Sequence, residues 1–243
     1  MELLHDIKIS GYSHQSGGTF NYVKIAGKGV ITGDVEAKQI KVDGAGTFCK
    51  DVKSAEMNVN GTGSIEGNLE VKNFKVHGNC TVKGSGTVEK LSSKGKCSFQ
   101  GDLKSNKISS VGHLAVDGGV ETEEFISLGG FEIKGLLNAQ LIDIKIGWRS
   151  YAEEIGGEEI YVKLDNSRTL SLTLLSKWLG RHSSQRLKSK VIEGTKVDIE
   201  FTEADVVRGN HVYIGPGCRI AKVEYTDTLE VNPNSTVIEQ IKI

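Results

Sequence analysis

A 17-residue period runs from Asn21 to Ala139 without losing register. Gly27, Gly44, Gly61, Gly78, Gly95, Gly112 and Gly129 fall in one column of it. Gly33, Lys50, Gly67, Gly84, Gly101, Gly118 and Gly135 fall in another. Three further columns are apolar: one begins at Val23 and Ile40, one at Ile31 and Phe48, and one at Val35 and Val52. The last is broken only by Gly86. A fixed period of this length decides the architecture before local propensity does, because each unit buries its apolar face only against copies of itself.

Within a unit, apolar and polar residues alternate, as in Val35-Glu-Ala37 and Ile40-Lys-Val42. Period two specifies strands with one buried face. The intervening glycines mark corners that need φ > 0 or a close backbone approach. Seventeen residues are too few for a propeller blade and carry no helical period. The unit is therefore one coil of an all-β β-solenoid, with identical positions stacked about 4.8 Å apart. With 30 Gly, 2 Pro and 6% aromatics, the composition suits a narrow core of Val, Ile and Leu.

Residues 1–20 read as an N-terminal segment holding an incomplete first coil, with Ile7 and Ile9 in a strand. The solenoid proper spans 21–165. Beyond the regular repeats, Leu137-x-Ala139-x-x-Ile142-x-Ile144 recurs from Ile155, Ile192 and Val207, and Ile214 aligns with Val231. The gap of 37 between Ile155 and Ile192 exceeds one coil by 20 residues and places an insert at 166–190. There Leu170, Leu174 and Trp178 recur at i, i+4, i+8, with Leu175 and Leu179 on the same broad face. Lys177 and Arg181 lie opposite. This spacing predicts an amphipathic helix. From Asn166 to Ile192 there are six Lys or Arg and no acid, so the rest of the chain carries −7. Two placements are open for this helix: anionic lipid, or the flank of a solenoid. Residues 191–243 complete the C-terminal coils.

The Gly-rich 17-residue repeats, together with VVRGNHVYIGPGCRI near the C-terminus, resemble the bactofilins, bacterial polymer-forming cytoskeletal proteins. The opening ISGYSHQSGGTFNYVKIAGKGVITGDV is similar to a Firmicute-type branch of that family. The resemblance covers about Ile7 to Ile243. It implies a right-handed β-helix that polymerises without nucleotide, often at the membrane, in the service of cell shape, motility or positioning. The insert and the extra C-terminal coils depart from the usual single uninterrupted helix.

Other readings are weaker. Gly27-x-Gly29-x-x-x-Gly33 lacks the spacing and following helix of a dinucleotide site. The column Asp34, Asp51, Asn68, Ser85, Asp102 reads as turn chemistry or as a cation ladder. Cys80 and Cys97 share a column and read as buried thiols or a stacked disulfide pair. The four cysteines lack metal-ligand spacing, and the histidines show no Ser/His/Asp arrangement. No catalytic, cofactor-binding or metal-binding residue is expected. No apolar leader segment and no 18-residue apolar run occur, which points to a cytoplasmic protein. The net charge of −1 gives no pull toward nucleic acid.

The expected function is a self-assembling structural scaffold, peripheral to the membrane through the insert. Its expected polymer contacts are Ile7, Ile9, Val237, Ile241 and Ile243, at strands that end a stack. The alternatives are a non-polymerising solenoid adaptor and a solenoid enzyme acting on sugars or acyl groups. The inward phase assigned above has a direct test. Val82→Asp should cost more than about 3 kcal/mol, because it puts a carboxylate in an apolar ladder. Lys83→Asp should stay within about 0.5 kcal/mol. Equal thermal stability of the two variants would overturn the phase.

Overall fold

The computed structural model describes residues 5–165 and 185–243. It divides into two units, Met1–Glu121 and Thr122–Ile243. Each is an all-β parallel β-solenoid, and no helix occurs among the described residues.

In the first unit two kinds of strand stack separately. The long strands are β1 (His5–Ile9), β3 (Gly18–Ile25), β5 (Val35–Val42), β7 (Val52–Val59), β9 (Leu69–Val76), β11 (Gly86–Ser93) and β13 (Leu103–Ser110). The short strands are β2 (Tyr12–Gln15), β4 (Lys28–Ile31), β6 (Ala45–Phe48), β8 (Thr62–Ile65), β10 (Asn79–Val82), β12 (Lys96–Phe99) and β14 (His113–Val116). From Val35 to Val116 neighbours pair in parallel at an offset of 17: Ile40 with Met57, Met57 with Phe74, Cys80 with Cys97. The first coil is shorter, with Ile9 opposite Ile25.

The invariant glycine column has a physical cause. A Cβ on Gly44 would lie 2.1 Å from the Gly27 carbonyl oxygen, and one on Gly61 would lie 2.1 Å from that of Gly44. Those carbonyls are engaged: Gly27 O accepts from the Ala45 N–H and Gly44 O from the Thr62 N–H, both at 2.8 Å. The glycines leave room for one coil's backbone to bond across the next. A left-handed conformation is not the reason, because Gly18 and Gly217 are the only positive-φ glycines among the described residues.

The core is one side chain thick, so volumes in a coil must compensate. Gly63 sits beside Val59, whose Cγ1 would be 3.3 Å from an added Cβ. Along the column Gly63 becomes Cys80, Cys97 and Leu114, while Val59 becomes Val76, Ser93 and Ser110. Between Gly63/Val59 and Cys97/Ser93 one member is larger and the other smaller. Ser93 and Ser110 are fully buried, and their hydroxyls have no hydrogen-bond partner. Shape sets their identity at the expense of a polar group. Gly86, the gap in the Val35 column, is explained the same way: its Cβ would meet the Phe99 ring at 2.5 Å. Burial pushes the Cys80 thiol up to about 12 and the Cys97 thiol well above its ordinary range. Both are free thiols. Val82 is fully buried, whereas Lys83 is exposed and ion-paired with Glu66.

Strand β15 (Val120–Ser127) leads into the second unit, where strands lengthen: β16 (Gly130–Ile146), β17 (Ser150–Leu164), β18 (Leu187–Ile199), β19 (Thr202–Ile214), β20 (Arg219–Val231) and β21 (Thr236–Lys242). The recurring motif stacks as read: Leu137 on Ile155, Ile155 on Ile192, Ile192 on Val207, and Ile214 on Val231. The 17-residue coil does not persist. Ile192 and Val207 are 15 apart, and a bulge between Gly209 and His211 changes the offset from 16 at Val207–Val223 to 17 at Val212–Leu229. Long strands turn corners without a separate glycine turn, so coil length is freer here. Phe125 and Phe131 fill this core edge to face, with ring centroids 5.3 Å apart.

The glycine account is checked by substitution. Gly61→Ala should cost about 3 kcal/mol or more by forcing successive coils apart. Gly11→Ala has nothing within 4 Å of its Cβ. It should be neutral or stabilising by up to about 1 kcal/mol. Urea midpoints of the two variants give the comparison.

Candidate functional site

Three surfaces carry the residues singled out by sequence: the corner ladder of the first unit, the boundary of the insert, and the strands at the ends of the stacks.

The corner ladder resolves in favour of turn chemistry. Asp34 Oδ1 accepts the Asp51 N–H at 3.2 Å, and Asp51 Oδ1 accepts the Asn68 N–H at 2.7 Å. Asn68 Oδ1, Ser85 Oγ and Asp102 Oδ1 continue the same pattern to Ser85, Asp102 and Gly119. Each side chain thus satisfies the backbone of the next coil's corner. The second glycine column makes room for this: a Cβ at Gly67 would lie 2.2 Å from Asp51 Oδ1, and one at Gly118 2.2 Å from Asp102 Oδ1. Among the described residues no group of three or more His, Cys, Asp or Glu could hold a metal ion.

Beside this ladder a shallow groove runs along Thr19, Glu36, Lys53, Glu70 and Thr87. Its charges pair between coils, Lys53 with Glu70 at 2.7 Å. Lys72 lies 3.9 Å from Glu89 on its flank. The hydrogen bond and the charge of the Glu70 carboxylate hold the Lys53 ammonium above its ordinary pKa. Mutually neutralised, solvated charges of this kind build no general acid or base.

One arrangement went unnoticed in the sequence. His211 lies between Thr228 Oγ1, 3.1 Å from Nδ1, and Asp227, 3.6 Å from Nε2. The residues come from adjacent coils, and the bulge after Gly209 brings Thr228 opposite His211. His211 and Asp227 are both more than half exposed, so water competes for every bond. A nucleophile needs a drier setting.

At the insert the structure corrects a boundary. Leu170, Leu174, Leu175, Lys177, Trp178, Leu179 and Arg181 lie outside the described residues. Leu187–Lys190, read as helix, begin β18, with Leu187 opposite Ser150 and Lys188 opposite Tyr151. Lys188 pairs with Glu203 at 2.9 Å and Lys190 with Glu153 at 2.6 Å. The alternation Leu187-Lys-Ser189-Lys follows the strand period, and these two lysines are engaged by carboxylates. Gln185 anchors the returning chain by donating to the Gly147 carbonyl at 3.1 Å.

At the stack ends the candidates separate. Ile9 is buried against the core and Ile7 half-buried, both paired to β3. Ile9 is therefore a core residue of the first coil. In β21, Val237 and Ile241 are half-buried and Ile243 is exposed. Ile238, not among the residues named from the sequence, is 81% exposed. Among the described residues β21 pairs with β20 alone.

Two proteins of Bacillus subtilis (strain 168) match part of the chain. Uncharacterized protein YhbF is 41% identical over 112 residues, 45% of this chain and 42% of YhbF. Uncharacterized protein YhbE is 34% identical over 113 residues, 46% of this chain and 45% of YhbE. The chain spans less than half the length of each relative. No protein-family model matches. No solved structure matches. Among the described residues no helix is long and apolar enough to cross a membrane.

The ladder's structural role is tested at Asp51. Asp51→Ala leaves the Asn68 N–H without its acceptor and should cost about 1 kcal/mol. Glu36→Ala, which takes no part in the corner ladder, should change the unfolding midpoint far less. Equal midpoints would show that the ladder does not hold the corners.

Proposed function

We propose that this chain is a structural scaffold that assembles with copies of itself without nucleotide, in the manner of the bactofilins it resembles. The observation that carries the reading is the outer edge of β21. Among the described residues β21 pairs on one side, with β20, and Ile238 and Ile243 stand 81% and 71% exposed. A parallel stack whose strands repeat in register gives such an edge a template, and an identical or similar strand extends it. The exposed apolar side chains add a driving force of about 25 cal/mol per Å² buried.

The same reading makes the solenoid right-handed and cytoplasmic. It gives residues 166–184 the role of an amphipathic helix docked on an anionic membrane through Leu174, Leu175, Trp178 and Leu179. A second reading, a non-polymerising adaptor, is favoured by Trp148, which stands 64% exposed in the turn before β17. An isolated exposed Trp is a common anchor for a protein partner.

Sedimentation velocity and electron microscopy decide between them. Purified protein should form filaments or large oligomers at micromolar concentration without ATP or GTP. Ile238→Asp or Ile241→Asp should shorten them. A monomer under all ordinary salt conditions, or filaments indifferent to both substitutions, would contradict the assembly proposed here.

A further inference from the structure

Two arginines stack in register at the corner that opens β17. Ser150 stands opposite Leu187, and its N–H donates to the Arg186 carbonyl at 3.1 Å. Arg149 and Arg186, each one residue earlier, therefore hold the same corner position in successive coils, about 4.8 Å apart along the backbone. Like charges placed opposite one another repel. Neither side chain makes an ion pair or hydrogen bond among the described residues.

The surroundings leave this pair without a counter-ion. Arg149 is exposed and Arg186 half-buried, and Arg186 Nη1 is a buried donor with no acceptor. Such a donor is rare in a folded chain and calls for an acceptor from outside it. The carboxylates around the corner are committed elsewhere. Glu203 accepts Lys188 at 2.9 Å, and that bond, ahead of the charge of Arg186, holds its carboxyl below the ordinary range. Glu200 accepts Lys163 at 3.2 Å. Asp165, whose N–H donates to the Ile146 carbonyl at 3.2 Å, is engaged as well.

Two further observations fall on the same corner. Leu187 stands opposite Thr202, so Phe201 follows Arg186 in the corner column. Its φ of 47° is the only positive one of a non-glycine residue among the described residues. Outliers of this kind collect at ligand sites. Trp148, next to Arg149, stands 64% exposed. The chain around it is fixed, since Gln185 donates to the Gly147 carbonyl at 3.1 Å.

We propose that this corner binds a phosphate group, held by Arg149 and Arg186, with Trp148 against the organic part that carries it. A guanidinium presents a planar fork of donors, and a carboxylate has only two oxygens, enough for one fork. A phosphate has the oxygens for two forks and the charge to relieve the repulsion between them. The phosphate is that of a soluble ester or of an anionic phospholipid headgroup. The site lies within the second unit and stands whether or not copies of the chain assemble.

The test uses the full chain carrying Trp178→Phe, which leaves Trp148 as its single tryptophan. Titration calorimetry with inorganic phosphate, at an ionic strength held constant with NaCl, should saturate with a Kd of about 1 mM or tighter. Arg149→Ala should weaken binding about tenfold or more. Arg186→Lys should do the same, because an ammonium keeps the charge and lacks the fork. Lys242→Ala removes the same charge from β21 and should leave the Kd unchanged. Circular dichroism verifies folding, and the exposed Arg149 carries the test if Arg186→Lys does not fold. Vesicles of phosphatidylcholine with and without phosphatidic acid separate the sources. A blue shift of Trp148 emission that needs phosphatidic acid and is lost in Arg149→Ala identifies a lipid headgroup. Saturable phosphate binding with no vesicle effect identifies a soluble ester. The proposal fails if neither probe binds, if Arg149→Ala binds as the parent does, or if Lys242→Ala weakens binding as much. Binding only above about 100 mM phosphate, an adventitious ion only, also overturns it. If vesicles bind while Trp148 stays unshifted and Arg149→Ala changes nothing, the corner proposal falls and the membrane role of residues 166–184 stands.

Discussion

The structure of the first unit depends on how closely one coil's backbone can lie over the next. At the corner after each long strand, a glycine carbonyl crosses to the following coil and accepts an N–H there. The next glycine's missing Cβ provides the space, with a clearance near 2 Å at Gly44, Gly61 and Gly78. That one requirement repeats every coil and keeps the strands in register. The strands then align apolar ladders, and the ladders exclude water from a core one residue wide. Loss of the approach at one corner disturbs every layer that hydrogen-bonds through it.

A core this narrow has little capacity to relax, so neighbouring volumes are coupled. Gly63 with Val59 and Cys97 with Ser93 are versions of the same sum. Buried serines without partners look like candidate nucleophiles or water sites in isolation. Placed in their ladder they are the small members of a pair whose large member is on the facing strand. The corner carboxylates have a similar explanation. Asp34, Asp51 and Asp102 each direct Oδ1 at a backbone N–H of the next coil. Much of the side-chain chemistry that could have been read as function is spent on stacking.

The fold was legible in the sequence because translation along a solenoid preserves sequence position. The columns through Val23 and Ile31 correspond to ladders, and the match of Leu137, Ile155, Ile192 and Val207 is reproduced pair for pair. The periodicity gave no cause for its own glycines, since a flexible corner and a crowded one produce the same column. It could not anticipate the Val-to-Ser exchange at Ser93, because that depends on a facing side chain four residues on. The insert boundary was misplaced at Leu187–Lys190 because four alternating residues fit either a strand or the tail of a basic helix. Ile238 was missed because Val237 and Ile241 were the residues named from the sequence, and Ile238 lies on the opposite, exposed face of β21.

Edge and insert are two separate ways for such a chain to meet a partner, and both presuppose coils stacked in register. That premise is measurable directly. In a Cys49→Ser background, with Cys80 and Cys97 buried and unreactive, nitroxide labels at Lys75→Cys and Ser92→Cys occupy in-register positions on adjacent coils. Labels at Lys75→Cys and Ser109→Cys are two coils apart. Continuous-wave electron paramagnetic resonance should show strong spin–spin broadening for the first pair, at about 5 Å between backbones, and weaker broadening for the second, at about 10 Å. Separations beyond about 20 Å for both pairs, or broadening that does not fall from the first pair to the second, would contradict the stacked solenoid.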